Sequence, residues 1–325
     1  MLTLVVEGRV PLFGELKGNA EAPFGSPDAP RVEYSELGRT ILSDEICKIN
    51  KFYPQVEVWK VCIMPDHVHM IVRVKEDLPE KKHLGMVVRG FKTGCSRAWW
   101  RLNPLPSGKT EGTVIGAEVR GARAEVIGAT VSSVSPEGLR PLLFEEGYND
   151  KILMHEGQLD NWKAYLDDNP RRLLLKRQNP QLFTVLSGLE VADHNCQIVG
   201  NRFLLGVPDK MAVIVHRRYT DEENARLREE WLACGERGGV LVSAAISPKE
   251  KEVLREAMDH GYRIILLREN GFPKLYKPSG EAFDACSEGL LLQISPWEYH
   301  MERKTITRAQ CLELNAMAER IAASL

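Results

Sequence analysis

Two runs of β-rich sequence stand on either side of Met64-Pro65-Asp66: VEVWKVCI before it and His67 to Val74 after it. Two such runs around a tight Pro-Asp turn predict a hairpin. A strand sends successive side chains to opposite faces, so His67 and His69 share one face and Val68 points into apolar packing on the other. Met70, Ile71 and Val72 then anchor the strand in a sheet. Any fold for this chain has to leave one face of that strand to a pair of imidazoles.

The rest of the first half arranges itself around the hairpin. LTLVVEG at the start reads as a short strand, and Gly18 to Pro30 as a Gly/Pro-rich loop. Leu37, Ile41, Ile46 and Ile49 give Ser35 to Phe52 helical spacing, and Leu84 to Leu102 forms an amphipathic pattern. Gln158 to Leu175 is a further helix that Pro170 must end or kink. Between them, from about residue 103 to 140, TVIGAEVRGARAEVIGATV nearly mirrors itself. It reads as a repeat-derived insertion, a loop or a small hairpin.

The pattern changes from Asn201 onward. MAVIVH, GGVLVSAAI, YRIILLR and GLLLQI are apolar β runs, with helical patterns at Asp221 to Cys234 and Pro248 to His260 and a last helix at Ile306 to Leu325. Alternating strands and helices predict a mainly parallel sheet. With 325 residues, two domains are expected: 1–184 and 185–325. Seven scattered cysteines without a CxxC pair argue against a cysteine-rich zinc site and fit a reducing compartment. MLTLVVEGRVPLF is too short and too quickly charged for a signal peptide, and no run approaches a membrane span, so a cytoplasmic location is expected. The net charge of −2 decides nothing about nucleic acid, because binding depends on local patches.

Two residue pairs carry chemistry. His67 and His69 supply neutral nitrogens suited to a metal ion, although an isolated HxH also fits two surface histidines. In WKAYLDDNP, Tyr165 and Asn169 stand four apart on one helix face. The amide oxygen can ligate a hard cation and the phenol can attack phosphorus beside it. Taken alone, this pair also fits a packed tyrosine and a capping asparagine before Pro170. Together they describe a metal-assisted phosphodiester site with a covalent nucleophile. Tyr148 is the rival nucleophile, but its Gly-Tyr-Asn-Asp context reads as turn or strand entry, with no useful ligand four residues later.

At these residues the chain resembles the single-tyrosine HUH transposases of the insertion-sequence-200-like group, and within it the REP-associated tyrosine transposases. GRVPLFGEL, VEVWKVCIMPDHVHMIV, LGMVVRGFKTGCSRAWW, LLFEEGYNDKIL and WKAYLDDNPRRL follow one another in the family's order, from Leu2 to about Leu175. The resemblance implies an α+β ferredoxin-like HUH domain with a central antiparallel sheet. It implies Mg²⁺ or Mn²⁺ held by His67, His69 and Asn169, with Asp168 as a substitute ligand. It implies Tyr165 as nucleophile and a 5′-phosphotyrosine intermediate on single-stranded DNA carrying hairpin repeats. Its members include homodimers and monomers.

Arg89, Lys92, Arg97 and Arg101 lie on one helix pattern, and Arg171 and Arg172 follow the tyrosine. With Lys151 they are the candidate DNA-binding residues, though such charges also fit a solvated face. Trp99 and Trp100 are stacking or core residues. GGVLVSAAIS, HGYRIILLRENGF, PKLYKPSG and SEGLLLQISP resemble the DprA/Smf and lysine-decarboxylase-like Rossmann groups, which implies a Rossmann-like accessory α/β domain. GERGGVLVSAA lacks a full dinucleotide fingerprint. Ser243 and Ser247 could meet phosphate at a helix N-terminus, or Ser247-Pro248 could simply cap the helix.

The leading expectation is an enzyme that cuts and rejoins single-stranded DNA. Alternatives are a domesticated single-strand nickase, a non-cleaving DNA-binding regulator, and a nucleotide-processing enzyme acting through the second domain.

Overall fold

A computed structural model describes residues 1–104, 141–274, 276–302 and 305–324. From residue 105 to residue 140 the expected insertion lies outside the described residues. The chain divides into two compact units, Met1–Leu174 and Leu175–Leu325. The division falls before the expected 184, because Leu175, Leu182 and Phe183 pack into a core of the second unit.

The first unit is built on a four-stranded sheet. Its strands are β1 (Leu2–Val5), β4 (Val56–Met64), β5 (His67–Val74) and the short β6 (Asn149–Asp150), in the order β4-β5-β1-β6. Every pairing is antiparallel. A separate two-stranded ribbon, β2 (Gly14–Lys17) with β3 (Arg31–Tyr34), frames the Gly/Pro-rich loop. The helical stretch expected from Ser35 is α1 (Glu36–Thr40), a π-turn at Ile41–Glu45 and α2 (Ile46–Phe52), with Ser35 as N-cap accepting from the Gly38 amide. α3 spans Leu84–Leu102, and α4 spans Gln158–Gln178.

The predicted alternation in β5 decides the layers. Val68 and Met70 join Leu37, Ile41, Ile49, Val87, Val88, Phe91 and Cys95 in one core, which puts α1 to α3 on their face of the sheet. His67 and His69 point to the other face. There Tyr165 of α4 meets His69, and Asp167 reaches Lys60 of β4 at 2.5 Å. The helix runs through Pro170, where an end or kink was expected. Pro170 has no N–H for the Leu166 carbonyl, so one backbone bond is forgone. Buried Leu166 and Arg172 on either side pack the same helix in register.

The second unit holds a six-stranded mixed sheet, β7-β8-β12-β11-β10-β9. Its strands are β7 (Leu186–Val191), β8 (His194–Gly200), β9 (Lys210–Ala212), β10 (Val240–Ser243), β11 (Arg263–Leu267) and β12 (Leu291–Ser295). β9 to β12 pair in parallel, and the β7–β8 hairpin adds antiparallel strands beside β12. The hairpin turns on Ala192 and Asp193, both at positive φ, without a glycine to announce it.

Leu241, Ile264 and Leu291 face α5 (Asp221–Glu236), α6 (Pro248–Asp259) and α7 (Glu281–Ser287). Val242, Ile265 and Ile294 face α8 (Arg308–Ala323). Burial on both faces explains why these strands read as continuous apolar runs. Among the described residues no helix is long and apolar enough to cross a membrane.

Ile264 lies between Leu241 and Leu291 in register and is 1% exposed. Ile264→Ala should therefore cost about 2–5 kcal/mol in chemical denaturation of the second unit. A loss below about 1 kcal/mol would mean that this layer is not the packed core described.

Candidate active site

β5 lies between β1 and β4, and its register fixes what surrounds each histidine. Thr3 and Cys62 are the cross-strand neighbours of His69, and Val5 and Met64 those of His67. The two imidazoles stand edge to face with centroids 4.7 Å apart. Each is held through Nδ1. His67 Nδ1 lies 2.6 Å from Asp66 Oδ1, and His69 Nδ1 lies 2.8 Å from Thr3 Oγ1.

A carboxylate only accepts, so the Asp66 bond assigns the proton of His67 to Nδ1 and leaves Nε2 with its lone pair. The threonine hydroxyl can take the same role toward His69. Histidine metal ligands are held this way, through the other ring nitrogen. Burial works to raise the Asp66 pKa, but the bond and charge of His67 and the nearby Arg9 guanidinium bring it below the ordinary value. His69 is 7% exposed. Burial first, and then the charge of His67, push its pKa down to about 3, against a smaller upward pull from Asp66. At neutral pH it is an uncharged donor.

α4 brings the second pair. The Tyr165 ring meets His69 at 6.0 Å between centroids and 69° between planes, and the residue is 37% exposed. It is thus seated against the histidine pair yet reachable. Burial raises the phenol pKa, while the Arg172 charge and the Asn169 amide pull it down. The Arg172 guanidinium stands 5.7 Å from the Tyr165 ring centre.

Asn169 is buried, and its Nδ2 makes no hydrogen bond within bonding distance. The amide lies toward the Tyr165 hydroxyl, whose pKa, raised by burial, it helps to lower. Among the described residues no three His, Cys, Asp or Glu side chains form a metal-holding group. The third ligand expected from the resemblance, Asn169, is of another type, an amide oxygen. The nitrogen and oxygen set suits Mg²⁺ or Mn²⁺ and also suits zinc. Asp168, expected as a substitute ligand, is engaged otherwise: it holds Arg171 at 2.6 and 3.2 Å and lies 3.7 Å from Arg172.

Tyr148 is elsewhere. Its hydroxyl lies beside Gly85 at the start of α3. The candidate DNA-binding residues separate into groups. Arg171 and Arg172 belong to α4, but Arg172, expected to bind DNA, is buried against the Tyr165 ring and so is not a surface contact for a phosphate backbone. Arg89, Arg97 and Arg101 line a groove of about 1510 Å³ together with Lys48, Lys82 and Trp100. That groove lies on the α2–α3 side of the sheet, away from the histidines. Lys92 points its ammonium at the Glu145 and Gly147 carbonyls and ties α3 to that loop. Lys151 is exposed just after β6.

Thr3, Arg9, Asp66 and Cys62 were not singled out from sequence. Asp66 adjoins His67, but its Pro-Asp context reads as a turn. Thr3 and Cys62 become neighbours of His69 only through register. In the second unit, Ser247 caps α6 and accepts from the Glu250 amide at 3.2 Å. The buried Glu250 carboxylate accepts from the Val215, Ile246 and Ser247 amides. Glu250 thereby occupies the anion position that Ser243 and Ser247 would have offered a phosphate.

No family model matches the chain, and no curated protein matches it. It is similar to a solved structure of DNA processing protein A from Helicobacter pylori, from work on the single-stranded DNA binding mode of that protein. The identity is 18% and the TM-score 0.31, over 43% of this chain and 65% of that one.

The burial of neutral His69 has a pH consequence. An unfolded histidine titrates near about 6.5. The folded one takes its proton only at about 3. Between those values the unfolded chain binds a proton that the folded chain refuses, so stability is lost as pH falls through that window. The slope contributed is at most about 1.4 kcal/mol per pH unit. Denaturation of metal-free protein at about pH 7 and about pH 4.5 measures it, and His69→Gln should flatten the dependence. Equal dependence in both proteins would contradict the assignment.

Proposed function

We propose that this chain is a metal-dependent single-stranded DNA transposase of the REP-associated, single-tyrosine HUH type, cutting and rejoining at hairpin-type sites. The observation that carries the proposal is the Tyr165 ring set against His69, within a histidine pair whose Nδ1 atoms are already engaged. The order of the first unit, β1, α1–α2, β4, β5, α3, β6, with β1 and β5 central and all pairings antiparallel, supports a ferredoxin-like reading of the fold.

His67 and His69 through Nε2, and Asn169 through Oδ1, would hold Mg²⁺ or Mn²⁺. Such an ion supplies Lewis-acid polarisation of a phosphodiester. The chain's own groups do the rest. The Tyr165 oxygen bonds to phosphorus and its proton passes to solvent. The bond to the 3′-oxygen breaks, and that oxygen leaves as a 3′-hydroxyl after taking up a proton. The 5′ end stays on the enzyme as a phosphotyrosine. A second 3′-hydroxyl can reverse the step, so rejoining needs no nucleotide triphosphate. Arg171 binds the DNA backbone beside the tyrosine, Arg172 is buried and braces the Tyr165 ring instead, and Arg89, Arg97 and Arg101 hold a more distant stretch, with a strong salt dependence.

The second unit is proposed as a Rossmann-like accessory domain. Its parallel strands run in one unbroken order, β9 to β12, without the reversal that makes a dinucleotide crevice. Glu250 also fills the helix N-terminus that would meet phosphate. Both features weigh against the nucleotide-processing alternative.

Incubation with labelled single-stranded hairpin DNA and Mn²⁺ should yield a covalent band on denaturing gels. Tyr165→Phe should abolish it and Tyr148→Phe should retain it. A band that persists in Tyr165→Phe and vanishes in Tyr148→Phe would overturn the assignment. A purely non-covalent shift would favour the regulator.

A further inference from the structure

The carboxylate on His67 does not stand alone. Asp66 presents one oxygen, Oδ1, to His67 Nδ1 at 2.6 Å and the other, Oδ2, to Arg9 Nη1 at 3.2 Å. Arg9 lies far from Asp66 in sequence, in the loop that follows β1. That loop is tied to the turn between β4 and β5 by two backbone bonds, from the Val6 amide to the Asp66 carbonyl and from the Phe13 amide to the Pro65 carbonyl. Arg9 itself sits at φ 54°, a left-handed conformation that a residue with a Cβ adopts at a cost. The backbone is held there, and the side chain it projects ends on the carboxylate that orients His67.

We infer that Arg9 is a positioning residue for the metal ligand His67, acting through Asp66. The inference rests on the metal-site reading above and deepens it. A free aspartate in a turn can rotate, and either oxygen, or neither, can meet the imidazole. With Oδ2 engaged by Arg9, the carboxylate plane is fixed and Oδ1 is aimed at Nδ1. That keeps the imidazole proton on Nδ1 and the lone pair on Nε2. Without Arg9 the imidazole can exchange tautomers, and the form with its proton on Nε2 has no lone pair there for a cation. The two histidines are thereby held differently: His69 by the neutral Thr3 hydroxyl, and His67 by a charged pair that reaches the surface, where Arg9 is mostly exposed. Only the His67 side can be disturbed by changing a surface residue.

Two readouts on the same variants test this. In metal-free protein, nitrogen-15 NMR of the imidazoles should find His67 wholly in its Nδ1–H form in the wild type and in mixed tautomers in Arg9→Ala and Asp66→Ala. Calorimetric titration with Mn²⁺ should give affinities lowered about 10-fold to 100-fold in Asp66→Ala and about 10-fold in Arg9→Ala. Arg9→Lys should recover most of the loss, and all variants should melt close to the wild type. Unchanged tautomer and unchanged Mn²⁺ affinity in Arg9→Ala would overturn the role of Arg9 and leave the metal site standing. A wild-type chain whose Mn²⁺ binding is indifferent to His67→Ala would overturn the metal reading, while the NMR measurement still decides whether Arg9 fixes the imidazole. If Arg9→Ala fails to fold, Arg9→Gln, which keeps the length of the side chain and removes the charge, gives the same two readouts.

Discussion

The pairing of β5 between β1 and β4 is the constraint on which the first unit depends. It buries Val68 and Met70 under α3 and forces His67 and His69 to the opposite face, whatever their chemistry. The same register delivers Thr3 to His69. The tight turn that joins β4 to β5 delivers Asp66 to His67. Slipping either pairing by one residue would put the histidines in the core and the valine in the site. The apolar face therefore holds the polar one in place, with each fully buried Leu, Ile or Met side chain contributing roughly 1.5–3 kcal/mol to that choice.

α4 adds the proposed nucleophile by a different periodicity. Tyr165, Asn169 and Arg172 fall at i, i+4 and i+7, a single stripe, and Tyr165 meets the histidine face. The cost of placing an amide and a guanidinium there is visible in Asn169 Nδ2, which is buried and makes no hydrogen bond. A group whose donor is left unused at that depth costs of order 1–3 kcal/mol. A folded chain retains such a cost most readily where the group serves a ligand, which agrees with the proposed role of Asn169 as third metal ligand.

How much of this was legible in the sequence depends on the range of each interaction. The hairpin, the shared face of His67 and His69, and the Tyr165–Asn169 pair are local periodicities, and they read directly. The partners of the imidazoles were not legible. Thr3 reaches His69 across a strand pairing, and Asp66 looked like an ordinary turn residue. Pro170 was expected to end or kink the helix; it does not end it, and packing on both sides carries the helix on to Gln178. The basic stripe of α3 was legible as a stripe. Which side of the sheet it would occupy was not, and Arg89, Arg97 and Arg101 face away from the histidines. In the second unit the apolar runs gave four strands, but the β7–β8 hairpin turns on Ala192 and Asp193 at positive φ, residues that carry no turn signal as strong as glycine.

Under the proposed mechanism Tyr165, and no other tyrosine, takes the phosphate. Mass spectrometry of the wild-type protein after reaction with single-stranded hairpin DNA and Mn²⁺, followed by nuclease trimming and trypsin, tests it most directly. A nucleotide-sized mass increment is expected on the peptide from Ala164 to Arg171, with fragment ions placing it on Tyr165. An increment on the peptide that holds Tyr148, or an unmodified Tyr165 in protein that has cleaved its DNA, would contradict it.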